Sequence, residues 1–370
     1  MIRAQSLKKS GIISILLATT GKFLSFATTL SVAYIFGANT QTDLIFFLYS
    51  LIILLSGFWT HFNSNVLLPS LIQEFKHDPS SAWQKCCSIA TNVLTSMTFL
   101  LPILCIFYHE ILSFVSRWDP ATIQSSYSFF CILIILLPVI YLNDLFCIVY
   151  QSQKHFTYTY LNSLCFGLVC LISLYCFSNY WGEYSLVFGM TLAGLIQLII
   201  MLTLLFRTGL KFSLQFQSVN LITNHWSLWL TSLALFITQF LLIFLPDYFA
   251  SGLQHGSYTS ILNGRKIVEL MTTLGMFPII LIFYPRMVEW HNSKNPGLKL
   301  QLATKLLIWL SIPLIYLVTL LGPTMIEYFY HNGSYTIANT NISQISLLTL
   351  TPGIFFISIF SLTTRWILAQ

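Results

Sequence analysis

Phe36-Gly37-Ala38-Asn39-Thr40-Gln41-Thr42-Asp43 joins two long apolar runs, and the hairpin it makes, roughly residues 11 to 79, decides the fold. Each run exceeds the roughly 20 apolar residues that a helix needs to cross the hydrocarbon of a bilayer. Between them, a glycine and a group of short polar residues supply the turn chemistry. The two runs therefore read as a pair of membrane-crossing helices joined by a short loop.

Outward from the hairpin the same pattern continues. Of 370 residues, 56% are hydrophobic and 8% are charged, with mean hydropathy +0.77. Soluble domains usually carry about 25% charged residues. Closed membrane barrels would show alternating strands of about ten residues, and the sequence has none of these. Apolar runs bounded by Gly, Pro, Asn or charge predict ten spans, at about 11–36, 43–72, 86–108, 126–150, 157–178, 184–206, 226–247, 257–284, 301–322 and 344–367. The fold class is all-α, a polytopic membrane protein.

The first run follows Arg3, Lys8 and Lys9, as a signal peptide would. At about 25 residues it is too long for one, and it has no small-residue cleavage site, so it reads as a retained helix. Thirteen of the 17 basic residues, from Arg3 to Arg365, fall at alternate ends of the spans. Arg117 alone lies at the opposite ends, and Lys22, Arg265 and Lys266 lie inside spans. Cytoplasmic loops retain lysine and arginine, so both termini are expected in the cytoplasm. Scattered over short loops, the net charge of +6 reports orientation and does not form a nucleic-acid surface. The eight cysteines sit in or beside apolar runs without metal-ligand spacing, as small buried residues. No nucleophile–base pair, phosphate-binding loop or nucleotide motif is present, so neither an enzyme nor a cofactor is expected.

The chain also repeats itself. Leu112 to Pro138 aligns with Ile326 to Pro352 without gaps at an offset of 214, pairing Phe114 with Tyr328, Thr122 with Thr336 and Leu133 with Leu347. Tyr34 and Tyr248 share that offset. Pro69 and Pro285 close spans two and eight, and a second proline follows each, Pro79 and Pro296. Six spans per repeat is an even number, so the copies share one orientation, a parallel repeat. The expected lobes are residues 1–212, with six helices, and residues 213–370, with four. On this pattern the second lobe stops where two more helices are expected.

Gly21-Lys22-Phe23-Leu24-Ser25-Phe26, Tyr34-Ile35-Phe36-Gly37-Ala38, Thr42-Asp43 and Leu68-Pro69 together resemble the lipid II flippase family of peptidoglycan synthesis (MurJ). That family belongs to the multidrug, oligosaccharidyl-lipid and polysaccharide exporter superfamily. Ser251-Gly252, Gly256-Ser257, Arg265 to Glu269, and Tyr328-Phe329-Tyr330-His331-Asn332-Gly333-Ser334-Tyr335-Thr336 continue the likeness in order. The resemblance implies two six-helix lobes around a central cavity that opens alternately to each side. It also implies fourteen helices and an undecaprenyl-pyrophosphate-linked saccharide as substrate in the bacterial inner membrane. Lys22 and Lys266 stand where the family has cavity arginines, Glu269 at an acidic neighbour, and Asp43 at the acid that opens helix two. The departures are Thr28, Thr29, Ser56 and Gly57, where the family carries charged residues.

The residues themselves make a similar case. A basic side chain at mid-bilayer costs about 2.5 to 3.5 kcal/mol on insertion scales and by default faces a cavity or a partner. Lys22 lies roughly 16 Å into span one at 1.5 Å per residue. It shares a helix face with Thr19, Ser25 and Thr29. Arg265 and Glu269 are four apart and can pair, which leaves Lys266 as the less compensated charge. Arg265, Lys266, Glu269 and Lys22 are the candidate substrate-binding residues. In the competing structural reading these bases pair with Glu269 and Asp144. Asp43, His61 and Asp144 are candidates for coupling or gating through H+ or Na+. Trp226 and Trp229 fit an interfacial aromatic belt. The functions expected are a flippase, an exporter of related polysaccharides or small amphipathic molecules, or a truncated homologue that does not transport.

Overall fold

The computed structural model describes residues 7–153, 155–207, 213, 226–276, 296–331 and 333–368. They form helices α1 (Leu7–Ile35), α2 (Thr40–Phe62), a π-helical turn (Asn63–Leu67), α3 (Leu68–His77), α4 (Pro79–Ile106), α5 (Tyr108–Val115), α6 (Pro120–Ser125), α7 (Tyr127–Leu133) and α8 (Leu136–Ser152). Then come α9 (Phe156–Trp181), α10 (Tyr184–Arg207), α11 (Trp226–Ala250), α12 (Ser257–Gly275), α13 (Pro296–Tyr330), α14 (Ile337–Leu350) and α15 (Gly353–Leu368). Among the described residues there is no strand.

Among those residues eight helical runs are long and apolar enough to cross a membrane, and nine if α14 and α15, bent by 48°, count as one. The tenth expected span is α12. It is helical, but Arg265, Lys266 and Glu269 make it too polar for that test. Its expected end at Tyr284-Pro285 lies outside the described residues, as do Lys154, Lys211, Arg286 and Lys294.

Proline explains where several elements start and break. Pro79 begins α4 and Pro296 begins α13, the position where its missing N–H is harmless. Span four breaks at Ile134-Ile135 because Pro138 has no N–H to give the Ile134 carbonyl; Leu137 N–H bonds that carbonyl instead, at 3.0 Å. The repeat partner Pro352 sits at the corresponding bend between α14 and α15. The copies differ elsewhere: α4 and α5 are separated at Phe107, whereas α13 runs 35 residues unbroken.

Contacts divide the chain into two compact units, residues 1–28 with 40–255 and residues 29–39 with 256–370. The duplication places its boundary near residue 212, but α11 packs within the first unit, for residue-level reasons. Along α2 and the π-helical turn that follows it, Ser50 Oγ donates to Asp247 Oδ2 at 2.5 Å, His61 hydrogen-bonds Gln239, and Asn65 Nδ2 reaches Ser232 Oγ at 3.4 Å. At the end of α11, the Arg117 guanidinium lies 4.9 Å from the Tyr248 ring centre and 4.6 Å from that of Phe249. The Arg117 main-chain N–H donates to Ser251 Oγ at 2.9 Å. Trp226 is exposed, as an interfacial tryptophan would be, but Trp229 packs on Phe58 and Phe62, so it is part of this seam rather than of a belt.

In the same unit α1 lies close against α9. A Cβ on Gly167 would sit 2.7 Å from Leu24 Cβ, and one on Gly21 would sit 2.7 Å from Ser163 Oγ. Small residues let helix backbones approach where lipid supplies no hydrophobic drive. In the second unit α12 and α14 meet in the same way: Gly264 faces the Ser343 carbonyl, Ser343 Oγ donates to Ser260 O at 2.8 Å, and Ser346 Oγ to Ile261 O at 3.0 Å.

Candidate functional site

The hairpin turn is where the quoted motifs of the second unit converge. Gly37, with φ +73°, lies against Ser334; Gly256, with φ +84°, lies against Ala38. Ser334 N–H donates to Tyr34 O at 3.1 Å, its hydroxyl to Ile35 O at 3.1 Å, and Asn339 Nδ2 to Ala38 O at 3.4 Å. Segments distant in sequence thus satisfy the main-chain carbonyls that end α1. Asn332 of the third motif lies outside the described residues. Asp43, 3% exposed, stands in the first turn of α2, where a negative charge meets the positive end of the helix dipole.

The charged cluster lies on α12. Arg265 Nε donates to Glu269 Oε1 at 3.2 Å and Lys266 Nζ to Glu269 Oε2 at 3.0 Å. Each base therefore takes one carboxylate oxygen. Lys266 is not the less compensated charge, because positions three and four back along a helix both reach the residue at 269. Two bases on one acid leave one positive charge. Each side chain is about a third exposed, between 31% and 34%, so the triad is open to a further ligand.

In the first unit Lys22 is exposed on α1, while Gly21 and Leu24 face α9. Asp144 accepts from Thr60 Oγ1 at 2.5 Å and, among the described residues, forms no ion pair, so the structural reading that paired it with a base is not what the side chains do. His61 sits one residue beyond Thr60 but turns to Gln239 on α11. Asp144 and His61 thus flank the same stretch of α2 on different sides.

Sequence reasoning passed over Asp247, Gln239 and Tyr141. Asp247 is 7% exposed but falls at the end of the seventh apolar run, where the mid-bilayer rule that singled out Lys22 does not reach. Nothing in periodicity marks Gln239 or Tyr141, whose roles depend on which helix packs against them.

A family model described as "Lipid II flippase MurJ" matches residues 32–370. The chain belongs to the MurJ family. A curated MurJ relative, "Probable lipid II flippase MurJ" of Borreliella burgdorferi (strain ATCC 35210 / DSM 4680 / CIP 102532 / B31), is 22% identical over 354 residues, 93% of this chain and 69% of the relative. Among solved structures, "Lipid II flippase MurJ, inward closed conformation" superposes with TM-score 0.82 at 16% identity, covering 97% of this chain and 76% of that one. A multidrug resistance MATE family transporter of the MOP superfamily, in its outward-facing conformation, gives TM-score 0.59 at 11% identity, over 98% of this chain and 85% of that one.

Of the positions where the resemblance implies charged residues, Thr28 and Ser56 satisfy their hydroxyls within their own helices. Thr28 Oγ1 donates to Leu24 O at 2.9 Å, and Ser56 Oγ to Ile53 O at 2.8 Å. Gly57 leaves room for Gln239, whose Oε1 would lie 3.5 Å from an added Cβ. In this MurJ member α2 packs on α11 through Ser50 with Asp247 and His61 with Gln239.

Proposed function

We propose that the chain is a flippase that moves a lipid-linked cell-wall precursor, an undecaprenyl-pyrophosphate-linked saccharide, across the bacterial cytoplasmic membrane by alternating access. Family membership supports the activity, and the excess of basic residues at alternate span ends supports cytoplasmic termini. The observation that carries the substrate class is the Arg265–Lys266–Glu269 triad: a net positive, partly exposed cluster on a helix in the span series. Such a cluster suits an anion whose oxygens can take charge-assisted bonds.

In this mechanism Glu269 offsets one of the two positive charges and shares its carboxylate between both bases while no substrate is present. A pyrophosphate group displaces part of that pairing and gains contacts to Arg265 and Lys266. Lys22 is a separate basic side chain, exposed on a span of the first unit. The saccharide would travel with its pyrophosphate as the cavity changes access, and an ion, H+ or Na+, would couple the cycle through Asp43, His61 or Asp144.

Growth rescue of a bacterium depleted of its own lipid II flippase tests the reading. The wild-type chain is expected to rescue, and Lys22→Ala or Lys266→Ala to reduce rescue at equal membrane abundance. Rescue indifferent to both substitutions would remove the pyrophosphate contact from the mechanism. A well-inserted wild-type chain that never rescues would contradict the flippase reading itself.

A further inference from the structure

The π-helical turn inside span two leaves buried polar groups that packing does not explain. Asn63, which opens the turn, is 0% exposed, and among the described residues neither its Oδ1 nor its Nδ2 has a hydrogen-bond partner. The turn packs on α2, α3, α8 and α11, so this amide sits among helices and away from loops. Tyr141 on α8 is 1% exposed, and its hydroxyl is likewise without a partner among those residues. Its ring lies 5.2 Å from that of Trp59, and its hydroxyl is near enough to Asp144 to interact with it electrostatically. Asp144 holds a hydrogen bond from Thr60, three residues before Asn63.

Buried polar atoms are almost always satisfied in native proteins, and the exceptions point to an unseen water or ion or to a functional role. π-turns within α-helices are frequent at functional sites. Here both features meet a carboxylate that forms no ion pair among the described residues. Other charges nearby are already engaged: Lys85 pairs with Glu74 between α3 and α4, and His61 bonds Gln239. Thr60 is exposed and Asp144 half-buried, so the carboxylate can be reached, whereas Asn63 and Tyr141 are buried.

We infer that this corner of the first unit binds a small monovalent cation, Na+ in the first instance, through the Asp144 carboxylate and the neutral oxygens of Thr60, Asn63 and Tyr141. The donor set decides the class of ion. Carboxylate, amide carbonyl and hydroxyl are hard oxygen ligands, which exclude a preference for soft or imidazole-seeking metals. One carboxylate balances one positive charge, whereas calcium sites gather six to eight oxygens, commonly from several carboxylates. No group of three His, Cys, Asp or Glu that could hold a metal ion occurs among the described residues.

Thermal unfolding of the purified full chain, with NaCl replaced by choline chloride at constant ionic strength, reads binding directly. A ligand that binds only the folded state raises Tm in a saturating manner. The wild type is expected to gain at least about 2 °C with Na+. Asp144→Asn should lose the gain. Asn63→Leu should also lose it while keeping or raising the Tm in choline, since apolar filling removes unsatisfied atoms. His61→Ala, on the α11 side, should retain the gain. Equal Tm in Na+ and choline for the wild type would overturn the inference, as would a gain that survives in both Asp144→Asn and Asn63→Leu. A Tm that follows pH and ignores Na+ would overturn it too. Because the readout is stability and not transport, its failure would leave the flippase reading untouched.

Discussion

Glu269 shows how a single residue sets what the charged helix can do. Its two oxygens engage Arg265 and Lys266 separately, at 3.2 and 3.0 Å. Pairs this exposed contribute only a few tenths to about 1 kcal/mol each after solvent screening. Their weakness suits a site that must exchange one anion for another. Glu269→Gln should therefore lower the Tm of the ligand-free protein slightly and increase the further rise that inorganic pyrophosphate produces. Lys266→Ala should abolish most of that rise. A Glu269→Gln protein that responds to pyrophosphate no more than the wild type would show that Glu269 does not compete for the bases. From sequence, the spacing of 265, 266 and 269 was enough to place all three on one helix. It did not reveal that one carboxylate serves both bases, because that depends on rotamers.

At the scale of elements, the helices were legible wherever an apolar run met a proline or a cap. Pro79 and Pro296 open helices in both copies, and Pro138 and Pro352 each lie at a helix break. Less legible were features that depend on a neighbour. The π-turn at Asn63–Leu67 leaves no trace in hydropathy, and the docking of α11 on α2 rests on single polar contacts such as Ser50 with Asp247. Asp119 caps α6. Its carboxylate accepts from the Thr122 hydroxyl at 2.6 Å and from the Thr122 N–H at 3.3 Å. The Thr122 side-chain bond, more than any other influence, holds the carboxyl below its ordinary range. A carboxyl lowered in the folded state stabilises it above the unfolded pKa, near 4, and loses that contribution as pH falls through the folded value. Asp119→Ala should thus lower Tm at neutral pH, with the gap from wild type closing on acidification. A gap independent of pH would mean that the charge at Asp119 contributes nothing to the cap.

For the whole molecule, composition alone settled the class, and the 214-residue offset is what proposes a duplication. What the offset could not show is that contacts regroup the copies. The last residues of α1 join the second unit through Gly37 and Ser334, and α11 joins the first through Arg117 and Gln239. The first helix of each copy thus makes contacts outside its own repeat, while α1 also keeps its packing on α9. The central claim, that this membrane protein carries a pyrophosphate-linked lipid across the bilayer, is tested most directly by where that lipid resides. In cells depleted of their own flippase and expressing this chain, lipid II would be challenged with a reagent that cleaves it only from the outer face. The account predicts that the wild-type chain restores the cleavable fraction and that the Lys22→Ala, Lys266→Ala double variant, equally abundant in the membrane, does not. Lipid II that stays protected despite a well-inserted wild-type chain would contradict it.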